Sequence, residues 1–127
     1  MLRLSAVRAE GFALVPVTDT DTPTVKFSGN ADSEAAESLD RFLQELHRNL
    51  LDDQSTEVEV DLIELYFMTS SCIRALASWV HAVKVADTPY RIYLQTNPRQ
   101  SWQQRSLEPI KRLAPAVVVL RSSAQAT

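Results

Sequence analysis

Residues 61–76 read DLIELYFMTSSCIRAL, and two patterns meet inside this stretch. Leading into it, Glu57–Leu62 (EVEVDL) alternates Val58, Val60 and Leu62 against Glu57, Glu59 and Asp61, the period-two signature of a strand with one buried face. After Thr69-Ser70-Ser71 the spacing turns helical. Cys72/Ile73, Leu76, Trp79/Val80 and Val83 form one apolar stripe, while Arg74, Ser78, His81 and Lys84 face outward. A strand that feeds a helix through a hydroxyl-rich turn is the repeating unit of an α/β domain.

Upstream, Phe12–Val17 is an apolar, β-favouring run followed by the turn-rich connector TDTDTP. Thr24–Ser28 alternates Val25 and Phe27 with polar neighbours, predicting a strand that Gly29-Asn30 breaks. From Asp32 onward Ala35, Ala36, Leu39, Phe42, Leu43, Leu46 and Leu50 share a helix face, predicting a helix to about Leu51 capped by Asn30 or Asp32. Downstream, Tyr90–Leu94 predicts a strand, and Asn97-Pro98 a helix start with proline in the first turn. That helix carries Trp102, Ser106, Ile110 and Leu113; Pro109 should kink or split it, and Pro115 end it. Ala116–Leu120 (AVVVL) reads as a short buried strand and Arg121–Thr127 as a loose tail.

The predicted order is β-β-α-β-α-β-α-β in a single α/β domain over residues 1–127, with residues 1–23 a variable segment holding one strand. Single helices between strands imply right-handed crossovers and a mixed, largely parallel sheet packed with helices. The loops Gly29–Asp32, Thr69–Cys72 and Thr96–Pro98 are expected together at the carboxyl ends of the strands, where function tends to sit.

Composition narrows the functional classes. The chain has 127 residues, with 13 Lys+Arg against 16 Asp+Glu and a net charge of -3, and no basic cluster, so nucleic acid is not an expected partner. Apolar residues make up 45%, enough for a core without disulfides or metals. With 2 glycines in all, neither a GxxxxGK[ST] nor a GxGxxG phosphate loop can be written. One cysteine, Cys72, and the well-separated His47 and His81 offer no metal-ligand spacing, and no cofactor is expected. Arg3, Arg8 and Glu10 interrupt the N-terminal apolar runs, and no stretch is long enough to span a bilayer. These readings predict a soluble cytoplasmic protein with no membrane partner.

Thr69-Ser70-Ser71 is the most informative polar feature. One of its hydroxyls can cap the following helix, contributing about 1 kcal/mol. Alternatively the triplet is a phosphoacceptor, where a phosphate would add about -1.5 to -2 charges that a helix N-terminus tolerates and a packed partner does not. Cys72 lies on the apolar stripe with no histidine near it in sequence, which favours a buried core residue over a nucleophile. Capping and strand-face positions explain Asp32, Asp61 and Glu64 more simply than an acid/base set. Trp79 reads as core. Trp102, beside Arg99 and Arg105, either packs under the sheet edge or serves as a partner hot spot.

The run Asp61–Leu76 resembles the signature of STAS domains, the anti-sigma-factor antagonist fold, roughly D-L-x-x-[VL]-x-x-[LIM]-D-S-S-G-[LI]-x-x-L, without a gap. VKFSGNADSEA is similar to the family's early strand with its G-x-x-D, on Gly29 and Asp32, and YRIYLQTNPRQSW to its strand ending in an N-x-P-type loop. The resemblance spans about Thr24 to Leu120. It implies a non-enzymatic partner-switching protein, phosphorylated by a kinase that often doubles as the anti-sigma factor and restored by a phosphatase, with only the unmodified form binding. By position Ser70 falls on the acceptor serine and Asp32 on an acidic residue beside it.

The sequence departs from that signature with Thr69 in place of the Asp and Cys72 in place of the Gly. Thr-Ser-Ser, with Leu65-Tyr66 before it, is similar to a divergent group, the SiaC-type regulatory phosphoproteins, in which the threonine is the acceptor and the partner a diguanylate cyclase. The family's closing helix is expected to be short or absent here. The resemblance thus implies Ser70, Thr69 and Ser71 as acceptor candidates. For partner contact, Asp32, Asn30 and Asn97 lie on the neighbouring loops, and Arg74 and Ser78 on the exposed helix face. Expected partners are a kinase of anti-sigma type or a cyclase-type enzyme, a phosphatase, and a second copy of the chain through the uncovered final strand. A constitutive scaffold without phosphorylation, or a small-molecule-binding domain, are the alternative functions.

Overall fold

A computed structural model of the chain describes residues 2–122. In chain order its elements are β1 (Val7–Ala9), β2 (Phe12–Val17), β3 (Thr24–Ala31), α1 (Ala35–Asp52), β4 (Glu57–Asp61), β5 (Leu65–Met68), α2 (Ser70–Lys84), β6 (Arg91–Thr96), α3 (Ser101–Leu113) and β7 (Val118–Ser122). The strands form one seven-stranded sheet in the order β1-β2-β3-β4-β6-β7, with β5 also on β3. β1–β2 and β2–β3 pair antiparallel, and every other pairing is parallel. The fold is therefore the mixed, largely parallel α/β sheet with three helices that the pattern predicts.

Two strands correct the predicted order. β1 is too short and too polar to show a period. It exists because a two-residue turn at Glu10-Gly11, with Gly11 at φ 76°, folds it back so that Ala9 faces Phe12. The segment before residue 23 therefore holds two strands rather than one. β5 is the LYFM run, read only as apolar from the sequence. β4 pairs with β3 over Thr24–Lys26 and β5 with β3 over Gly29–Ala31, so one sheet position is filled by two segments separated by a turn at residues 62–64. β3 consequently continues through Gly29 and Asn30, which do not break it.

Other boundaries differ for local reasons. Asn97-Pro98 forms a turn, not a helix start: Asn97 O and Oδ1 accept from Gln100 N and Arg99 N, and α3 begins at Ser101. Pro109 lies inside α3 without splitting it. It sits on the exposed side, where the Arg105 carbonyl that loses its donor can turn to water. The buried positions of α3 are Gln103, Leu107 and Ile110, while Leu113 is 50% exposed. β7 starts two residues later than expected and is only partly buried beyond Val118. Arg121 and Ser122, expected in the tail, pair with Gln95 and Thr96. The rest of that tail and the question of a closing helix fall outside the described residues.

Strands β3, β4, β6 and β7 lie side by side in chain order. With right-handed crossovers this places α1, α2 and α3 on one face of the sheet. Val25, Phe27, Val58, Val60, Ile92, Leu94 and Val118 point into that face and meet Leu39, Leu43, Leu46, Leu76, Val80 and Val83 of the helices, all at most 1% exposed. Phe27 and Phe42 make an edge-to-face contact at 6.2 Å across this layer. On the opposite face Glu59 accepts from Gln95 Nε2 and Arg121, and the Arg121 guanidinium lies 3.9 Å over the Tyr93 ring. That face is polar, and among the described residues no helix covers it.

Candidate functional site

The Thr69-Ser70-Ser71 turn stands where β5 hands over to α2. Thr69 is extended (φ -72°, ψ 164°) and precedes the first helical residue, but its side chain makes no capping hydrogen bond. Its hydroxyl oxygen is buried and has no partner among the described residues. Of the three hydroxyls expected to offer a cap, that of Thr69, the residue preceding α2, does not cap it. The turn is held through the backbone instead: Thr69 N–H donates to Ala31 O at 2.9 Å, and Thr69 O accepts from Ile73 N–H at 3.0 Å. Ser70 is exposed, whereas Ser71 is half-buried and 3.5 Å from an Arg74 guanidinium nitrogen.

The loop after β3 packs against this turn. Cys72 is fully buried, and its thiol donates to Asp32 O at 3.3 Å. Asp32 itself is exposed, and its Oδ1 accepts from Glu34 and Ala35 N–H at 3.1 and 3.2 Å, so the carboxylate opens α1. Asn30, the other capping candidate, is a strand residue facing Phe67, and its N–H donates to Gly11 O at 2.7 Å. Gly29 has φ 88°, and a Cβ there would lie 2.1 Å from Gly11 O, so the β1–β2 turn rests directly on its backbone. A cleft of about 410 Å³ lined by Ala9, Glu10, Phe12, Asp32, Glu34, Ala35 and Ser38 gives this side of the turn an acidic rim.

Asn97 belongs to a different cluster. Its Nδ2 donates to Ile63 O at 3.0 Å and its backbone N–H to Gln103 Oε1 at 2.7 Å, so its bonds go to the β4–β5 turn and to α3. The expected meeting of three loops is therefore two loops meeting, at residues 31–32 and 69–72, with the 96–98 loop bonded at the break in the β4/β5 position. Arg74 and Ser78 are exposed on α2. Trp79 is core, 4% exposed, and Trp102 is half-buried against the core.

Sequence reasoning missed two features. Gln103 is fully buried and donates Nε2–H to Leu62 O and Leu65 O at 2.7 and 2.9 Å, fixing the start of β5. A polar residue inside SWQQRSL gives no signal of this. Tyr66 and Phe67 are 52% and 47% exposed, two large aromatic rings directly before Thr69. An alternating strand would bury one of them. The register slips between Gly29 and Asn30, where Leu65 and then Phe67 are the partners, so Tyr66 is bulged and both rings reach solvent.

Among the described residues, no three His, Cys, Asp or Glu side chains are placed to hold a metal ion, and no helix is long and apolar enough to cross a membrane. No family model and no curated protein matches the chain. Among solved structures it is similar to that of the anti-sigma factor antagonist SpoIIAA in its unphosphorylated form, at 21% identity and a TM-score of 0.45, over 80% of this chain and 96% of the other.

Proposed function

We propose that the chain is a non-enzymatic regulatory binding module whose partner docks on the exposed aromatic pair of β5 and the adjoining N-terminus of α2, and is released by phosphorylation of Ser70. The observation that carries this reading is the placement of exposed Ser70 three residues after exposed Phe67. Burying two aromatic rings supplies the apolar centre of an interface. A phosphate of about -1.5 to -2 charges at its edge would have to be desolvated for the partner to stay. Burial of the Thr69 hydroxyl favours Ser70 over Thr69 as acceptor, which departs from the threonine-acceptor reading of the SiaC-type resemblance. Asp32, Asn30 and Arg74 border this surface, Ser78 lies about two turns into α2, and Asn97 acts through the position of β5.

In keeping with the STAS resemblance, the partner is a kinase of anti-sigma type or a cyclase-type enzyme, with a phosphatase to reset the module in the cytoplasm. The test is capture from source-organism lysate on wild-type, Ser70→Glu, Thr69→Glu and Phe67→Ala baits, each first shown to melt cooperatively. A kinase, phosphatase or cyclase held by wild type and lost from Ser70→Glu and Phe67→Ala supports the switch. The same partners on every bait would leave a constitutive scaffold.

A further inference from the structure

α1 and α2 meet along a groove of about 200 Å³ lined by Leu43, Gln44, His47, Ser78, Trp79 and Ala82, with Asp40 at one end. Beside it Tyr90, the residue before β6, is 2% exposed, and its hydroxyl joins the two helices. Trp79 Nε1–H, which can only donate, reaches Tyr90 Oη at 2.8 Å. His47 Nδ1 stands 2.6 Å from the same oxygen. The rings of His47 and Trp79 lie 5.6 and 6.5 Å from that of Tyr90.

Proton counting fixes the roles. Burial pushes the Tyr90 hydroxyl above the ordinary phenol range, so the oxygen keeps its proton. It accepts from Trp79 and donates to His47 Nδ1, which must then be bare, leaving the imidazole neutral with its proton on Nε2. A proton on Nδ1 would strand the buried phenol proton without an acceptor. We propose that His47, Tyr90 and Trp79 form a proton-operated latch that ties α1 to α2 and β6 while His47 is neutral and opens when Nδ1 takes a proton from solvent. One covalent bond forms, Nδ1–H, and the solvent hydronium that delivers the proton leaves as water. The Tyr90–His47 hydrogen bond is lost, and the proton occupies the lone pair that had accepted it.

The groups facing His47 are few. Among the described residues the groove beside His47 is lined on α1 by the Asp40 carboxylate, already accepting from Gln44 Nε2 at 2.8 Å, and on α2 by Ser78, Trp79 and Ala82; before β6 there is Tyr90. Burial disfavours the cation and holds His47 below the ordinary histidine value of 6.5. The unfolded chain therefore binds the proton first, so stability is highest above about pH 6.5, declines as pH falls through that value, and levels off below the folded value.

Long-range proton–nitrogen NMR of the labelled protein from pH 8 to 4.5 tests this, alongside urea unfolding at each pH. The expected result is the Nε2–H tautomer at pH 8 and a His47 midpoint below the one it shows in urea-unfolded protein. The urea midpoint should drop from pH 7.5 to 5, and this drop should be reduced in His47→Gln, whose amide oxygen can accept from Tyr90 at every pH. Tyr90→Phe, if it folds, should lose the tautomer preference. An Nδ1–H tautomer, an unshifted midpoint, or an equal drop in His47→Gln would overturn the latch.

Discussion

Replacing Gln103 with leucine keeps most of the side-chain volume and removes three hydrogen bonds: two donated by Nε2 to Leu62 O and Leu65 O, and one accepted by Oε1 from Asn97 N–H. Leu62 O keeps a partner, since Leu65 N–H also donates to it at 3.1 Å. Leu65 O lies in a fully buried residue and would be orphaned at a cost of about 1–3 kcal/mol. Asn97 N–H is half-buried and loses about 1 kcal/mol by exchanging its bond for water. Relief of the desolvation of Gln103 itself offsets part of this, leaving a loss of roughly 2–3 kcal/mol. At this chain length that lowers the melting temperature by about 6–12 °C. Urea unfolding followed by circular dichroism reads the free energy, and hydrogen exchange reads the Asn97 amide, whose protection should fall further than that of the helix-face core. A Gln103→Leu protein within about 0.5 kcal/mol of wild type, with Asn97 still protected, would refute the assignment of Gln103 as the anchor of β5.

Three further outcomes follow from the same geometry. Gly29→Ala sets a Cβ 2.1 Å from a backbone oxygen at φ 88° and should cost at least 3 kcal/mol or abolish soluble expression, whereas Gly11→Ala at φ 76° meets nothing within 4 Å and should cost about 1 kcal/mol in the same urea assay. Pro109→Ala returns a donor to the Arg105 carbonyl inside α3 and should stabilise the protein by about 1–2 kcal/mol, after allowance for the stiffer unfolded chain that proline gives; an unchanged or lower urea midpoint would mean that water fully replaces the missing donor. Ser70→Glu should leave the melting temperature within about 2 °C of wild type, because the new charge sits at the start of a fifteen-residue helix in water; a larger drop would return the serine to a structural role.

What the sequence made legible was whatever periodicity encodes. α1 and α2 each carry a full apolar stripe, and EVEVDL alternates, so their faces and order were readable without coordinates. The apolar run LYFM was not, because a run of four gives no period and its bulge is set by β3. Asn97-Pro98 carries the composition of a helix start and also of a turn, and local hydrogen bonds to Arg99 and Gln100 chose the turn. Gln103 was invisible because its burial depends on two carbonyls about forty residues away. At the candidate site, the residues on the β3 and β5 sides were placed beside one another as expected. The exposure of Tyr66 and Phe67 and the burial of the Thr69 hydroxyl came from the third dimension alone.

The broken β4/β5 position also changes where drift in the sequence would be felt. A continuous strand would carry the Thr69 turn as a rigid extension of the sheet, answerable only to its own ladder. Here the short upper segment is clamped from the side by a glutamine of α3, with Asn97 as a brace. Sequence change in SWQQRSL, remote from the turn along the chain, therefore bears on how high the Ser70 hydroxyl stands above the sheet. Two homologues could share every residue from 57 to 84 and still hold the Thr69 turn at different heights.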